Sequence, residues 1–354
     1  MRALVNDSLD WLTIAFAPGL GPRAARGLMA RGPLGDVLRR PRDHADLLPE
    51  DAISGLQTGR ARRAAEAELR RAERQGVSLL AVDAPDYPVL LREIYDPPLV
   101  LWILGRLPRV EEGPALAVVG TRGASPQGRA LARSMARDLA AAGATIVSGL
   151  ARGIDAAAHE GALDGGGRTL AVLGSGVDRV YPPEHVALAA RIGERGAVVS
   201  ELPLGTPPFA GNFPKRNRII AGLSRAVVVV EAPERSGALV TARLALDEGR
   251  EVLAVPGHPS SPGATGTNSL IRDGAILARD ARDVAEAIGA VLVPVSEADP
   301  ADDVLRVLER DQPRSLDEIQ ERCGRPTAEL LSRLTALELD DRVRRLPGTL
   351  FVKS

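Results

Sequence analysis

One cysteine, Cys323, stands among 354 residues, so the chain can form neither an internal disulfide nor a cysteine-based zinc cluster. That scarcity suits a reducing compartment, and a cytoplasmic protein is expected. Lysine is almost as rare: Lys215 and Lys353 are the only two, and arginine supplies the rest of the basic charge. Aromatic residues make up 3% of the chain. No apolar run reaches membrane-spanning length, and residues 1–20 lack a basic start followed by an apolar stretch. Neither a membrane span nor a secretory leader is expected. An excess of one charge is missing too, since the formal net charge is −1. Any contact with nucleic acid must therefore be a local patch.

Signature motifs are equally sparse. Gly120-Thr121-Arg122-Gly123 lacks the G-x-G-x-x-G spacing and puts a charge where a pyrophosphate would approach. No acid ends the next strand to hold a ribose, and there is no Walker motif, so neither NAD nor ATP is expected and no cofactor is assigned. The histidines His44, His159, His185 and His258 are scattered, none in a nucleophile motif and no pair with zinc-ligand spacing plus further ligands. His159, within Ala-Ala-Ala-His-Glu, reads as a packing or helix-surface residue. Asp155 and Glu201 form a conceivable carboxylate pair, but helix capping suits Asp155 as well, and a loop bond suits Glu201.

What the chain does contain is a regular alternation. Short β-rich runs at 115–119, 145–147, 169–173, 197–200, 227–231 and 251–255 alternate with helical patterns at about 126–142, 154–163, 183–194, 214–223 and 237–248. Apolar runs this continuous predict strands buried on both faces. The fold class is α/β, a Rossmann-like doubly wound parallel sheet over residues 76–290, with runs at 77–82 and 99–104 as an extension leading into it. Residues 1–75 read as a small helical module of SAM or helix-hairpin-helix type, hinged at Pro18-Gly19-Leu20-Gly21-Pro22. Such a turn serves either to face a phosphate or simply to pack two helices. Residues 291–302 read as a linker. Residues 303–354 predict helices at 303–310, 315–322 and 327–339 and a hairpin around Pro347-Gly348, a winged-helix-like pattern whose third helix is not basic.

In such sheets ligands gather beyond the carboxyl ends of the strands. There the chain places Gly120-Thr121-Arg122, Ser148-Gly149, Gly174-Ser175-Gly176, Ser236-Gly237 with Thr241, and Gly266-Thr267-Asn268. Glycine with Ser or Thr at so many ends suits phosphates, and Gly120, Thr121, Ser236, Gly237, Thr241 and Asn268 are the candidate phosphate pocket. One further stretch is unusual. From Leu202 to Val230 there is no Asp or Glu, while Phe209, Phe213, Lys215, Arg216, Arg218 and Arg225 crowd together with Asn212 and Asn217. Cations among aromatics suit a phosphate backbone with unstacked bases; a solvated cationic helix start gives the same composition.

The motifs also stand in a recognisable order. Gly-Thr-Arg at 120–122, Ser-Gly-Leu-Ala-Arg-Gly-Ile-Asp at 148–155 and Phe-Pro-Lys-Arg-Asn-Arg-Ile-Ile-Ala-Gly-Leu-Ser at 213–224 are followed by Ser-Gly-Ala-Leu-Val-Thr-Ala at 236–242. Ala-Val-Pro-Gly at 254–257 and Gly-Thr-Asn-Ser-Leu-Ile-Arg-Asp-Gly-Ala at 266–275 complete the set. Over about residues 77–290 the chain resembles the DprA/Smf family of DNA processing proteins. The resemblance implies a non-catalytic single-stranded-DNA-binding protein of natural transformation. Such a protein guards the incoming strand, helps load the RecA recombinase, and dimerises through its Rossmann-like domain. It places DNA contacts at Arg122, at Ser148, Gly149, Arg152 and Gly153, and at Gly211, Asn212, Phe213, Lys215, Arg216, Asn217 and Arg218, with Arg168 a further candidate. Lys215, Arg216 and Arg218 are expected to neutralise phosphates and Phe213 to stack on a base. The competing class is a Rossmann-like nucleotide or nucleoside-phosphate hydrolase, with Ser236–Thr241 holding the phosphate and Glu201 or Glu231 as the acid. A structural adaptor is the third.

Overall fold

The computed structural model describes residues 2–289 apart from 21, 32, 33, 110 and 111, and in the C-terminal region 304, 307–308, 312–324, 326–339, 343–346, 348 and 350–353. It divides into two units, 1–294 and 295–354. The expected linker at 291–302 and most of the expected helix at 303–310 lie outside the described residues.

The first unit is built on a nine-stranded sheet. Its strands are β1 (Ser78–Ala81), β2 (Val100–Gly105), β3 (Ala115–Val119), β4 (Thr145–Ser148), β5 (Arg168–Val172), β6 (Ala197–Ser200), β7 (Ala226–Val229), β8 (Glu251–Ala254) and β9 (Ile276–Leu277). Their spatial order is β1-β2-β6-β5-β4-β3-β7-β8-β9. From β6 to β9 all pairs are parallel, whereas β1–β2 and β2–β6 are antiparallel. Ala-Val-Val-Ser in β6 and Ala-Val-Val-Val in β7 are buried at every position, as strands covered on both faces require. The chain runs outward from β3 through β4 and β5 to β6, then returns to lay β7 against the other side of β3. The switch point of the sheet thus falls between β3 and β7, where a crevice must open at the carboxyl ends.

Two apolar cores flank the sheet. On one side Met135, Leu139 and Ile154, from the helices Pro126–Ala141 and Ile154–Asp164, pack on Leu116, Val118 and Val228. On the other, Ile192, Ile219, Ile220 and Ala242 pack on Val119, Val199 and Val227, from the helices Val186–Arg195, Asn212–Leu223 and Gly237–Asp247. That second core runs on without a break into Leu12, Ile14, Leu28 and Ile53 of the N-terminal helices. Arg62 and Glu66 form an i,i+4 pair at 3.2 Å on the Arg60–Arg74 helix. Among the described residues no helix is long and apolar enough to cross a membrane.

In the second unit, β10 (Arg314–Ser315), β11 (Val343–Leu346) and β12 (Leu350–Lys353) form an antiparallel sheet in the order β10-β12-β11. The helices Leu316–Cys323 and Thr327–Leu339 cover it through Ile319, Leu330, Leu334 and Leu337. A capping box between Ser315 and Glu318 starts the first of these helices, and Gly324 at φ 69° ends it.

Candidate nucleic-acid interface

The carboxyl ends of β3 to β7 enclose a cleft of about 650 Å³. Its walls come from strand-end loops and from two helix starts. Gly120, Thr121 and Arg122 follow β3; Ala151 and Asp155 follow β4; Tyr181 follows β5; Phe213, Arg216 and Asn217 lie on the Asn212–Leu223 helix; Arg235, Ser236, Gly237 and Thr241 follow β7. The side-chain period of the helix decides which residues enter: 213, 216, 217 and 220 share one face.

Phe213 is the centre of the aromatic wall. The Tyr181 ring lies 5.7 Å from it at a 40° tilt, and the Arg122 guanidinium 5.4 Å from its centroid. Gly174 makes the seat, because a Cβ there would stand 3.0 Å from the Phe213 ring. A small recess adjoins the cleft, bounded by Arg122, Gly149, Arg152, Tyr181, Phe213 and Arg216. Arg122 and Arg235 are exposed on the cleft rim, and neither has an acidic partner among the described residues. The cleft lining contains one acid, Asp155, and it is buried.

The two positions where a Rossmann-like sheet would receive an anion are filled by the protein's own carboxylates. Asp155 accepts from the backbone N–H of Gly149 at 3.1 Å and of Ala151 at 3.4 Å, and from that of Gly120. The turn it closes carries Leu150 in the left-handed region, at φ 55°. Glu231 accepts from both the backbone N–H of Ser125, at 3.0 Å, and its hydroxyl, at 3.1 Å, at the start of the Pro126–Ala141 helix. A nucleotide phosphate would have to displace each of them. Glu201, the other acid of the hydrolase reading, is held by Arg218 at 2.6 and 2.8 Å. Among the described residues no cluster of His, Cys, Asp or Glu could hold a metal ion.

Several cations depart from the expected role. Arg216 is buried, and its guanidinium donates to the carbonyls of Gly149, at 2.8 Å, and of Val172. Burial pushes it down to about 10, so it stays charged at neutral pH. Gly149 must be glycine, since a Cβ would stand 2.5 Å from that guanidinium and 2.7 Å from the Asp155 carboxylate. Burial also raises the Asp155 carboxyl, against the opposing pull of Arg216 and the backbone N–H groups. Arg218 turns away from the cleft to Glu201 and to Asp96, 3.0 Å away. Arg168 lies at the opposite, amino end of the sheet, paired with Glu112 and donating to the Glu112 and Gly143 carbonyls. Arg152 pairs with Glu184 on the surface.

The remaining expected residues divide. Ser148 is buried with its hydroxyl on the Val118 carbonyl at 2.7 Å, and Gly153, at φ 81°, has the Thr121 carbonyl where a Cβ would stand. Asn217 lines the cleft and donates to the Gly237 carbonyl at 3.3 Å. Lys215 is exposed in the first turn of its helix but outside the cleft lining, as are Gly211 and Asn212. Ser236 caps its helix by accepting from the Ala238 N–H at 3.3 Å, and the buried Thr241 lies one turn on. Asn268 clamps Gly257 through both its backbone groups, away from the cleft. His159 is a packing residue, fully buried with Nδ1 2.7 Å from the Thr169 hydroxyl. Tyr181 and Arg235 were not expected from the sequence. Each lies within nine residues of a strand end, in a loop whose glycines and serines draw the eye first.

Fold and cleft together define a Rossmann-like protein whose switch point holds an aromatic, cationic cleft in place of a dinucleotide site. By comparison with known proteins, the chain belongs to the DNA recombination-mediator protein A family, whose model matches residues 78–289. The DprA winged helix domain matches 272–349. The protein Smf of Escherichia coli K12 is 41% identical over 301 residues, covering 81% of this chain and 80% of that one. The X-ray structure of DNA processing protein A from Streptococcus pneumoniae is 36% identical, with a TM-score of 0.68, over 78% of this chain and 97% of that one. The DNA processing protein A of Helicobacter pylori, solved for its single-stranded DNA binding mode, has a TM-score of 0.54 at 29% identity, over 60% of this chain and 95% of that one.

Proposed function

We propose that the chain binds single-stranded DNA across the switch-point cleft without reading its sequence. It acts in the cytoplasm as a non-catalytic recombination mediator that guards an incoming strand and helps load RecA on it during natural transformation. The observation that carries this reading is an aromatic wall flanked by cations without acidic partners, in a lining whose one acid is buried. A base stacking on Phe213 is worth about 1–3 kcal/mol, more than the roughly 0.5–1 kcal/mol of an exposed cation–π contact. The base therefore displaces Arg122 from the ring, and the freed guanidinium meets the adjoining phosphate. Arg235 and Lys215 neutralise neighbouring phosphates, while Arg216 and Arg218 shape the site from within. Stacking requires an unpaired base, and the single-stranded DNA binding of the Helicobacter pylori relative supports that preference.

A homodimer through the Rossmann-like unit is part of the proposal. β9 lies at the end of the sheet order with Ile276 38% and Leu277 42% exposed, an apolar edge that a second copy can cover. Two clefts on one strand then gain affinity through effective concentration.

The test is fluorescence anisotropy of a labelled oligothymidine across a salt series, with a duplex competitor. Wild type is expected to bind the single strand in preference, and Arg122→Ala and Arg235→Ala each to reduce the salt slope by about one unit. Variants that bind with the wild-type slope would move the interface out of the cleft.

A further inference from the structure

The aromatic wall stands on two irregular loops, residues 174–182 after β5 and 201–211 after β6. Each is tied to the other. Asp178 Oδ1 accepts the Gly205 N–H at 2.7 Å, and the Gly176 N–H donates to the Thr206 carbonyl at 3.0 Å. Both loops are also tied to one N-terminal helix, Arg60–Arg74. Glu68 and Arg71, three residues apart and so on one helix face, take both backbone groups of Leu204. Glu68 Oε1 accepts the N–H at 2.7 Å, and Arg71 donates to the carbonyl at 2.7 Å. The other arm of Arg71 reaches Asp178 at 3.1 Å. Glu68 is buried and accepts from the Trp102 indole at 2.9 Å, which fixes the helix to β2. Gly205, at φ 80°, gives the guanidinium room, since a Cβ there would stand 2.9 Å from Arg71.

We propose that Arg71 is a positioning residue for the cleft. Through Leu204 and Asp178, the N-terminal helix holds both loops in the arrangement that keeps Tyr181 against Phe213. Arg71 itself is not among the residues lining the cleft. Loops left free would have to be ordered as the nucleic acid bound, and that ordering weakens affinity. The N-terminal region thereby sets the affinity of a site to which it contributes no contact. This inference rests on the single-stranded-DNA reading above.

Arg71→Ala and Asp178→Ala separate geometry from charge, because they remove charges of opposite sign. The full chain and each variant are compared by oligothymidine binding over a salt series and by backbone hydrogen exchange. Both variants are expected to bind about tenfold more weakly, the scale of one charged hydrogen bond. Exchange at 176–181 and 203–206 rises in both, with the salt slope unchanged. A slope lower by about one unit in Arg71→Ala would make that residue a phosphate contact instead. Tighter binding by Asp178→Ala would show that charge, not geometry, dominates. Wild-type affinity despite faster exchange would mean the wall needs no brace. Failure of the wild-type chain to bind oligothymidine removes the underlying reading; unchanged exchange then removes the brace as well, and faster exchange keeps it as a structural tie.

Discussion

The two sides of the Asn212–Leu223 helix use the same residue types for opposite purposes. On the cleft side Phe213 is partly open, and Arg122 rests on its ring without an acidic partner among the described residues. Deeper in the same wall Arg216 is buried against backbone carbonyls, and on the far side of the helix Arg218 is paired with Glu201 and Asp96. A cation with an open face can exchange partners with a phosphate. A cation whose hydrogen bonds are already made inside the protein can do so only by leaving an acid or a carbonyl unmatched. Charge density in the sequence therefore overstates the charge available to a ligand, and burial decides which part remains.

The largest effect that would break this contrast is on stability. Arg216→Met leaves Asp155 facing no compensating charge and is expected to destabilise the fold by about 3 kcal/mol, read by urea denaturation. An unchanged unfolding midpoint would mean that Arg216 is as free as Arg122. Next in size is an acid sensitivity behind the same buried arginine. Burial, reinforced by the Arg216 charge, pushes the His159 imidazole down to about 3. The unfolded imidazole titrates near 6.5, so between these values only the unfolded chain takes up the proton, and stability falls as pH drops. From pH 6.5 to 5 this one group removes about 2 kcal/mol, and His159→Gln is expected to flatten that part of the profile. Asp155 acts in the opposite sense. Its raised pKa gives stability present at low pH and lost as pH rises through the folded value.

On the open side the expected effects are on binding. Phe213→Ala is expected to weaken oligothymidine binding about tenfold, the stacking scale, while its unfolding midpoint stays close to wild type. A variant that loses both would place Phe213 with the packed residues. The smallest effect sharpens the comparison. Gly174→Ala presses a methyl against the Phe213 ring, which stands 3.0 Å from the new Cβ, and is expected to cost a few-fold in affinity, about 1 kcal/mol or less.

Much of this molecule was legible in its order of residues. Continuous Val and Ala runs located six parallel strands to within a residue or two, because a strand covered on both faces has no polar position to spare. Glycines at strand ends located the cleft, and the acid-free stretch from Leu202 to Val230 located the helix that walls it. The fold and the edge of the sheet that matters are thus set by local periodicity and turn chemistry. Which arginine faces water is not. Arg216 and Arg218 are two positions apart and rotate to different sides of one helix, where the neighbours that claim them, Gly149 with Val172 and Glu201 with Asp96, arrive from distant segments. Tyr181 meets Phe213 and Glu231 meets Ser125 in the same way, across separations of 32 and 106 residues that no local pattern records. Local sequence determined the elements and their order; only tertiary packing decided which charges were neutralised inside and which were left exposed at the cleft.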